Sequence, residues 1–555
     1  AGKTFYASDQ TNSRLIELDA VAGKITRTIA LDKNPSQIAF LDAKYLVVTE
    51  SDHDALAIVD RVSGMVAAHV DVFESKAPHG FSPSALAYDA ANKRLYATLA
   101  SINAVEAYDV TMGSPPSITP AGRIPTAWWP TGVMVDTDGS LVVLNGKGHG
   151  TGTDNVQYTW GNGPITKLMR GSVQHVPSAS LASLTPLSAT VDQAFKLADV
   201  GGAAAITCPP GADDFPVPKD TSSGPSKQIK RVVLIIRENK TFDALFGDLP
   251  GVNGDPKLIM GTDAQIQAKV WQNARAIAQT FTNFDNFYTD AEQSIQGHVW
   301  TVYGRTTDYM ERSWLSTWGR ATRPVGMPTS FEATPEERGI FDWFDANGID
   351  NDDMGEAVGS GLKSGIDGKY PGFLIAIDLP DVQKACYIAG RLRVRCDLKP
   401  FTYALFPNDH TNGGAAGAAA PEVMIAVNDE ASGMLIDAFS RSPYWKDSLV
   451  IITEDDPQDG GDHVDVHRSI LLMASPWVKR GYVSHGHYDM ASVYKLVAHL
   501  YGIPYHNEMI REALLPVDAF TSTPDYTPFT YVPRTVTAPC NAKGTKHAKK
   551  AERWD

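Results

Sequence analysis

The pattern of hydrophobic and polar residues changes near residue 229 of the 555-residue chain. Before that point, short runs of alternating apolar and polar residues are separated by turn residues, as is typical of strands with one buried face. After it, apolar residues form continuous runs at Arg231–Ile236, Leu449–Ile452 and Ile470–Met473. Continuous apolar strands are typical of sheets that are covered on both faces. The change therefore predicts two domains of different fold class.

The first domain contains an internal repeat. A proline and a small residue, followed by an alternating strand, begin at Pro35, Pro83 and Pro130. In phase with this unit, an apolar strand runs into Asp-x-x-x-Gly at residues 19–23, 60–64 and 109–113. Three or four short strands per unit of about 40 to 50 residues is the periodicity of β-propeller blades. We therefore predict propeller blades over residues 1–180.

The second domain alternates its continuous strands with helical stretches, at Ala264–Ala278, Pro421–Ser440 and Met490–Leu500. This alternation predicts an α/β domain with a largely parallel sheet over residues 229–530. Residues 181–228 carry a helical pattern and then Pro, Gly and Ser residues, which indicates a helix and a linker. Residues 531–555 are predicted to be a C-terminal tail.

The charge of the chain limits what it can bind. A formal net charge of −15 provides no basic field for DNA or an anionic membrane, so we expect no nucleic acid partner. We find no apolar stretch of about 18 residues, which argues against a membrane span. An anionic substrate would have to be met locally by metal ions, histidine, arginine or backbone donors.

Four cysteines bear on the cellular compartment. Cys386 and Cys396 flank a short polar loop and are predicted to form a local disulfide, which leaves Cys208 and Cys540 as a second candidate pair. Incidental thiols in a cytosolic protein are the alternative interpretation. Because the chain begins at Ala1 rather than Met, we expect that a signal peptide has been removed. We predict a periplasmic or secreted protein.

Polar pairs follow two of the predicted strands directly. Glu238 and Asn239 come after the first strand of the α/β domain, and Asp409 and His410 follow the apolar run Phe401–Phe406. A helix cap or a structural turn would explain either pair alone. However, ligands of α/β sheets collect at the carboxyl ends of the strands. A carboxylate beside an amide oxygen offers two hard ligands to a divalent cation.

The densest polar group follows the strand Leu449–Ile452. Five Asp, one Glu and two His occur within residues 453–468. A solvated acidic loop is the alternative interpretation, but it gives no reason for His463 and His467 or for the position after a strand. Carboxylates and imidazoles together suit Zn, Mn, Fe, Mg or Ca, and the sequence does not choose among these ions. We predict a site for one or more divalent metal ions.

Ser294 is the candidate nucleophile. It is followed by Gly297 and His298, and it comes shortly after Phe281–Tyr288. An ordinary helix N-cap is the alternative interpretation. A hydroxyl whose pKa is lowered by a metal ion is suited to attack phosphorus when it lies at a helix N-terminus, because the amides and the dipole receive phosphate oxygens. Gly297 and His298 are then placed to contact the phosphate.

The order of these groups along the chain resembles the bacterial phosphoesterases that include acid phosphatases and phospholipases C, within the alkaline-phosphatase superfamily. The resemblance is greatest to two-domain proteins in which a YVTN/YncE-like propeller precedes the phosphoesterase domain. It implies five metal ligands: Glu238, Asn239, Ser294, Glu454 and Asp455. It implies that three histidines contact the phosphate or protonate the leaving group: His298, His410 and His463.

The sequence departs from the family pattern in two places. The usual Asp-Glu pair is replaced by Glu454-Asp455-Asp456, so that Asp456 is an alternative ligand. Further candidates are Asp409, Asp462 and His467. Propellers of the YncE-like family usually have seven blades, whereas about four fit before residue 200. Either N-terminal blades are missing from the chain, or the ring closes in an unusual way.

The resemblance implies an enzyme that hydrolyses small-molecule phosphate esters with the help of divalent metal ions. We expect a phosphomonoesterase of the acid phosphatase type, in which Ser294 attacks phosphorus and forms a phosphoserine that water then hydrolyses. The alternatives are a phosphodiesterase or phospholipase C, or a non-catalytic binding protein built on the propeller. In each case the propeller is expected to shape access to the site or to hold a protein partner or a second copy.

Overall fold

A computed structural model describes residues 3–72, 79–151, 165, 168–195, 215–260, 269–317, 331–356, 366–372, 376–457 and 461–536. Four small antiparallel sheets come first, and one large sheet with helices follows. Within these ranges no helix combines the length and the apolar character needed to cross a membrane. The predicted cysteine pair of Cys208 and Cys540 lies outside the described residues.

The N-terminal strands form four sheets in chain order. Sheet 1 contains β1 (Thr4–Asp9), β2 (Arg14–Asp19) and β3 (Lys24–Ala30). Sheet 2 contains β4 (Pro35–Phe40), β5 (Tyr45–Glu50), β6 (Ala55–Asp60) and β7 (Met65–Asp71). Sheet 3 contains β8 (Pro83–Asp89), β9 (Arg94–Leu99), β10 (Ala104–Thr111) and β11 (Ser117–Pro125). Sheet 4 contains β12 (Trp128–Val135), β13 (Leu141–Gly148) and β14 (Ser172–Val176).

The repeat that begins at a proline corresponds to the first strand of sheets 2, 3 and 4. These first strands lie side by side, because β1 contacts β4, β4 contacts β8, and β8 contacts β12. Hydroxyl groups connect them: Ser8 Oγ donates to the Ser36 carbonyl at 2.6 Å, Ser36 Oγ to the Ser84 carbonyl at 3.2 Å, and Ser84 Oγ to the Pro130 carbonyl at 3.2 Å. The arrangement is propeller-like, as the spacing predicted.

The Asp-x-x-x-Gly segments form tight turns in sheets 1 and 2. The Asp19 carboxylate accepts hydrogen bonds from the backbone N–H groups two and three residues later, and Gly23 takes a φ of 62°. Asp60 and Gly64, with a φ of 70°, repeat this arrangement. Glycine is favoured there because left-handed backbone costs it little. The third segment, residues 109–113, differs because β10 continues past Asp109 to Thr111.

The C-terminal domain alternates strands and helices. Its strands are β15 (Arg231–Arg237), β16 (Thr282–Tyr288), β17 (Asn351–Met354), β18 (Phe401–Leu405), β19 (Ser448–Glu454), β20 (Arg468–Ala474) and β21 (Tyr482–Ser484). After α1 (Thr185–Phe195), which packs on β11, the helices are α2 (Phe242–Phe246), α3 (Gln272–Thr280), α4 (Ser294–Tyr303), α5 (Asp308–Thr317), α6 (Ile340–Ala346), α7 (Asp381–Gly390), α8 (Pro421–Ser440), α9 (Met490–Tyr501) and α10 (Glu508–Glu512).

The large sheet has the strand order β17-β18-β15-β19-β20-β16-β21. Its pairs are parallel except that β20 runs antiparallel to both neighbours, so the sheet is mixed but mostly parallel. The central strands are fully buried, as the continuous apolar runs predicted. Strands β18, β15 and β19 are adjacent and parallel, so their carboxyl ends lie at one edge.

The predicted disulfide between Cys386 and Cys396 is wrong. Both residues are free cysteines with exposed side chains. The segment between them is helical, through α7 and a π-helical turn at Arg391–Arg395, and is not a loop. Because a helix rises about 1.5 Å per residue, ten residues separate the two ends by about 15 Å. That separation is more than twice the usual Cα distance of a disulfide, about 6 Å.

Candidate active site

The polar groups that follow the strands come together at the carboxyl edge of the large sheet. Glu238 and Asn239 follow β15, the 3₁₀ turn Pro407–His410 follows β18, and Asp455 follows β19. Glu356 lies two residues beyond β17 at the same edge. All of these side chains except that of His410 are buried. The geometry explains why residues so far apart in sequence meet at one site.

Ser294 is the first residue of α4, and its side chain is half-buried. Its Oγ donates a hydrogen bond to Asn239 Oδ1 at 3.1 Å. Asn239 itself has a φ of 72°, a left-handed conformation that asparagine tolerates better than most residues and that often occurs at functional sites. A hydroxyl at the N-terminus of a ten-residue helix faces the positive end of the helix dipole.

The helix α4 packs closely on the loop after β19. A Cβ atom at Gly297 would lie 2.7 Å from the carbonyl oxygen of Asp455, which is too close for any side chain. Glycine at this position therefore allows the close approach of α4 to the acidic loop. The sequence places Gly297 between Ser294 and His298, so the same contact fixes both side chains relative to Asp455.

His298 is fully buried among carboxylates. Its Nδ1 lies 2.8 Å from Glu356 Oε2, and its Nε2 lies 3.5 Å from Glu238 Oε1 and 3.7 Å from Asp455 Oδ2. Burial lowers the pKa of His298, but the charge of Glu356 and the close contacts with Glu238 and Glu356 outweigh it, so that the pKa is raised well above the usual value. Tyr403 also donates to Glu356, at 2.8 Å.

Glu454, the last residue of β19, is paired with Arg237 at the end of β15. Neither of its carboxylate oxygens has a hydrogen-bond partner among the described residues, and Oε1 is 3.6 Å from Arg237 Nε. Arg237 in turn binds Asp409 Oδ2 at 2.8 Å and 3.1 Å. Burial, and then repulsion by Asp409, raise the pKa of Glu454 well above its usual value. Glu454 therefore belongs to a buried group with Arg237 and Asp409.

The donors around Ser294 fit a divalent cation. Glu238 Oε1 is buried without a hydrogen-bond partner among the described residues, and the neighbouring donors are carboxylate, amide and hydroxyl oxygens. Burial raises the pKa of Asp455 well above its usual value, and repulsion by Asp456 and Glu238 adds to the shift. A nearby cation would favour the ionised forms of these carboxylates.

A second set of acidic and histidine residues lies elsewhere, and we name it the Arg468 cluster: Asp243, Asp462, His463 and Arg468. Asp243 Oδ2 is 2.6 Å from His463 Nδ1, and Asp243 Oδ1 is 2.9 Å from Arg468 Nη2. Arg468 Nε is 2.9 Å from Asp462 Oδ1. Burial raises the pKa of Asp462 to about 7, partly offset by Arg468. The guanidinium therefore offsets part of the negative charge of this cluster.

His410 and His467 contact different parts of the structure. The ring Nδ1 of His410 is 2.8 Å from the carbonyl of Thr411, at the end of the turn after β18. His467 Nδ1 is 2.7 Å from Asp465 Oδ1, and its Nε2 is 3.3 Å from Glu292 Oε1. Asp456 is fully buried next to Asp455.

The segment before Ser294 is held by the propeller. Lys147 of β13 places its ammonium 2.7 Å from Glu292 Oε1 and 2.5 Å from Glu311 Oε2. Burial raises the pKa of Glu292, but Lys147 and His467 outweigh it and lower the pKa to about 2. Conversely, burial lowers the pKa of His467, while Asp465 and Glu292 raise it to about 10. A buried network of opposite charges therefore joins the two domains beside the candidate nucleophile.

A cavity of about 550 Å³ lies between the two domains next to this network. Trp128 and Trp129 of the propeller form one side of it, and Tyr288, Trp300 and His467 of the C-terminal domain form the other. Trp129 Nε1 also donates to Asp308 Oδ1 at 3.1 Å, across the domain boundary. The propeller therefore contributes aromatic surface close to the segment that carries Ser294.

Sequence reasoning missed Glu356 and Lys147. Glu356 follows a strand of Asn, Asp, Asp and Met, which lacks the apolar residues that would have marked it as buried. Lys147 ends a propeller strand and has no sequence neighbour that suggests a role in another domain. If β17 had been recognised as a strand, the position of Glu356 just after it would have indicated a site residue.

Comparison with known families identifies one segment of the chain. Residues 418–504 match the model of the Phosphoesterase family. The predicted resemblance to a phosphoesterase family is thus confirmed. The Phosphoesterase segment contains α8, β19 and α9, and with them Glu454 and Asp455. No curated protein matches the chain. The similarity to YncE-like propellers stays a prediction.

Two solved structures are similar to parts of the chain. One is a protein in the alkaline phosphatase superfamily from Vibrio parahaemolyticus, with 17% identity and a TM-score of 0.36, covering 57% of this chain and 76% of that one. The other is Kuenenia stuttgartiensis hydrazine synthase, with 22% identity and a TM-score of 0.24, covering 32% of this chain and 44% of that one. The similarity therefore spans less than half of the hydrazine synthase chain. At these TM-scores neither similarity supports a shared function.

Proposed function

We propose that the protein hydrolyses phosphate esters with Ser294 as nucleophile, aided by a divalent cation bound between Glu238, Asn239 and Asp455. The Phosphoesterase segment supports phosphate ester hydrolysis. The observation that carries the finer proposal is the 3.1 Å hydrogen bond from Ser294 Oγ to Asn239 Oδ1 at the start of α4. This contact places a hydroxyl at a helix N-terminus and beside a group of buried oxygen donors.

The residues around Ser294 divide the work of binding and orientation. The N-terminal amides of α4 are suited to receive phosphate oxygens. When bound, the cation would lower the pKa of a coordinated hydroxyl and offset the charge of the phosphate. Asp456 and Glu454 are further ligand candidates, although Glu454 lies with Arg237 and Asp409. The zinc, manganese, iron, magnesium or calcium ions that the sequence allowed all remain candidates.

His298 is a positioning residue in this proposal. Both of its ring nitrogens face carboxylates, Nδ1 towards Glu356 and Nε2 towards Glu238 and Asp455. An imidazole in that place can orient both Glu238 and Asp455 through its Nε2. The arrangement suits orientation of the metal ligands better than protonation of a leaving group.

The reaction proceeds in two displacements at phosphorus. Ser294 Oγ attacks phosphorus in line, the bond to the ester oxygen breaks, and the alcohol leaves after it takes up a proton. Water then attacks the phosphoserine, and the bond between phosphorus and Ser294 Oγ breaks. Inorganic phosphate or a phosphate monoester is released, depending on whether the substrate was a monoester or a diester.

The Ser294→Ala variant tests the nucleophile. We expect turnover of a chromogenic phosphate monoester to fall on the order of 10⁴- to 10⁶-fold, with little change in thermal midpoint, because a covalent route requires the hydroxyl. Thr185→Ala is the matched control, since Thr185 is the exposed first residue of α1 and lies away from the site. If Ser294→Ala turns over substrate at a near wild-type rate, and its thermal midpoint falls as it would on loss of a helix cap, Ser294 is not the nucleophile.

Phosphate esters differ from one another in their leaving group. We propose that the leaving group of this protein's substrate extends into the cavity between the domains. The Trp128 and Tyr288 rings that line this cavity support an organic leaving group. Trp128→Ala is expected to raise KM by about 2- to 10-fold, the loss of one aromatic contact, with kcat unchanged. Phe5→Ala, an exposed aromatic residue of β1, is the control. Unchanged KM in Trp128→Ala contradicts the assignment.

Comparison of three substrates decides between a monoesterase and the alternatives. A chromogenic monoester, its diester counterpart and phosphatidylcholine should be hydrolysed with clearly different kcat/KM, and we propose preference for the monoester. Hydrolysis of none of them by metal-loaded protein would favour the non-catalytic binding protein.

Export to the periplasm or the medium also remains a proposal, and the free thiols of Cys386 and Cys396 give it no support.

A further inference from the structure

A group of ligand-type side chains lies between sheets 1 and 2 of the propeller, far along the chain from Ser294. Asp32 follows β3, Glu50 ends β5, His53 follows in the next turn, and His69 lies on β7. One ligand atom each from Asp32, Glu50 and His69 lies within 4.8 Å of the others. Nothing in the proposed phosphate ester chemistry requires this group.

The sheet is built so that these side chains meet. Glu50 is paired with Ala55, and His69 is paired with Ala57, so that Glu50 and His69 lie on the same face with only alanines between them. The small side chains of Ala55 and Ala57 leave room above the central strand. Glu50 Oε1 accepts the backbone N–H of Asp32 at 2.7 Å, which turns its second oxygen towards the histidine.

Glu50 provides the observation that points to a ligand. Its side chain is 0% exposed, and its Oε2 has no hydrogen-bond partner among the described residues. This oxygen lies 3.2 Å from His69 Nε2. An orphaned carboxylate oxygen without solvent contact is costly unless a cation or a donor compensates it.

Two measured separations match neighbouring ligands of a tetrahedral ion. His69 Nε2 is 3.2 Å from Glu50 Oε2 and 3.3 Å from Asp32 Oδ2. For metal–ligand bonds of about 2.0 to 2.1 Å, the edges of a tetrahedron measure about 3.3 Å. Charge-assisted hydrogen bonds between such groups are shorter, about 2.7 to 2.9 Å.

His53 holds Asp32 from outside this group. Its Nε2 lies 3.5 Å from Asp32 Oδ2, and its Nδ1 lies 2.8 Å from Glu336 Oε2, a residue of the C-terminal domain. Side chains that contact a metal ligand from behind fix its orientation. Glu336 therefore orients His53 and at the same time connects the propeller to the second domain.

We propose that Asp32, Glu50 and His69, with water as a fourth ligand, form a zinc site that is separate from the phosphoesterase centre and that stabilises the contact between the two domains. One imidazole, two carboxylates and a water are a donor set that zinc accepts. The part-exposed side chains of Asp32 and His69 leave the ion accessible from solvent. His53 takes the outer position behind Asp32, and Glu336 orients its ring.

The experiment compares zinc content after chelator treatment and reloading. Wild-type protein is expected to hold one zinc equivalent more than His69→Ala and Glu50→Gln, measured by plasma mass spectrometry. His53→Ala should keep the site but bind zinc about 10- to 100-fold more weakly, because Asp32 loses an outer-sphere partner. His175→Ala removes an exposed histidine of β14 and should match the wild type. Taking differences between variants separates this ion from any metal at Ser294.

A second readout uses cobalt in place of zinc. Wild-type and His175→Ala protein should show the visible absorption of tetrahedral cobalt, and His69→Ala should lose it. Circular dichroism identifies any variant that fails to fold, and Glu50→Gln, which hardly changes side-chain volume, then decides the question. Equal zinc content and equal cobalt spectra in the wild type, His69→Ala and Glu50→Gln would overturn the proposal, whatever the outcome for Ser294.

Discussion

Two buried groups of carboxylates and histidine in the C-terminal domain look alike in sequence but differ in what balances their charge. Around Ser294, Glu238 Oε1 is buried without a hydrogen-bond partner among the described residues, and His298 is the nearest positive group. In the Arg468 cluster, a fully buried guanidinium binds Asp243 and Asp462 directly. The two groups therefore differ in how closely a cation of the protein contacts the carboxylates, an imidazole at 3.5 Å in one and a guanidinium at 2.9 Å in the other.

The largest expected difference between the two groups is in metal binding and turnover. Glu238→Gln should lower kcat on the order of 10³-fold and reduce the bound metal, because the charge stabilisation that a metal ion gives is worth several kcal/mol. Asp462→Asn, the matched change in the Arg468 cluster, should leave the metal content unchanged. Metal analysis and initial rates on both variants check this. Equal metal loss in both would show that the Arg468 cluster also binds a metal ion.

The next effect concerns stability. Arg468→Met should lower the free energy of unfolding by about 3–5 kcal/mol, since it leaves the buried carboxylates of Asp243 and Asp462 without their counter-ion. Urea titration followed by fluorescence measures this. Arg94→Met is a suitable control, because Arg94 pairs with the exposed Asp109 and should cost less than about 1 kcal/mol. A similar small loss for both variants would mean that Arg468 does not balance the cluster.

The smallest effect is a pH dependence of stability, which arises from the network of Lys147, Glu292 and His467 that joins the domains. Like the Arg468 cluster, this network contains its own cations. The pKa of His467 is raised to about 10, so its contribution to stability is complete below the unfolded value near 6.5 and is lost as pH rises towards 10. Thermal midpoints of the wild type should therefore fall across this window. His467→Gln should show a flatter profile there, while His175→Ala should follow the wild type. Parallel profiles in all three would contradict the assignment.

Local pattern predicted much of the fold. The helix Pro421–Ser440 has the predicted bounds, and the strand predicted at Arg231–Ile236 extends by one residue, because long apolar runs and their flanking residues mark such elements. The repeat beginning at Pro35 predicted the first strand of a sheet. The start of α4 at Ser294 also follows from its local sequence.

Long-range features could not be predicted in the same way. A buried apolar run does not encode strand direction, so the antiparallel course of β20 was not foreseen. The sequence predicted a polar loop between Cys386 and Cys396, although four of the nine residues between them are aliphatic and the segment is helical. The pairing of Arg468 with Asp243 joins residues far apart in the chain, and only the folded structure shows it. For the same reason, sequence alone assigned His463 the same predicted role as His298, contact with the phosphate or protonation of the leaving group.

The contact of Lys147 with Glu292 and Glu311 has a consequence for how freely the two domains can be exchanged in evolution or in protein engineering. An isolated C-terminal domain would retain both carboxylates but lose the ammonium that compensates them, so it would unfold locally, or take up protons, at the segment that leads to Ser294. Replacing the propeller with another would require a lysine at the same place. The segment that leads to Ser294 therefore depends on both domains.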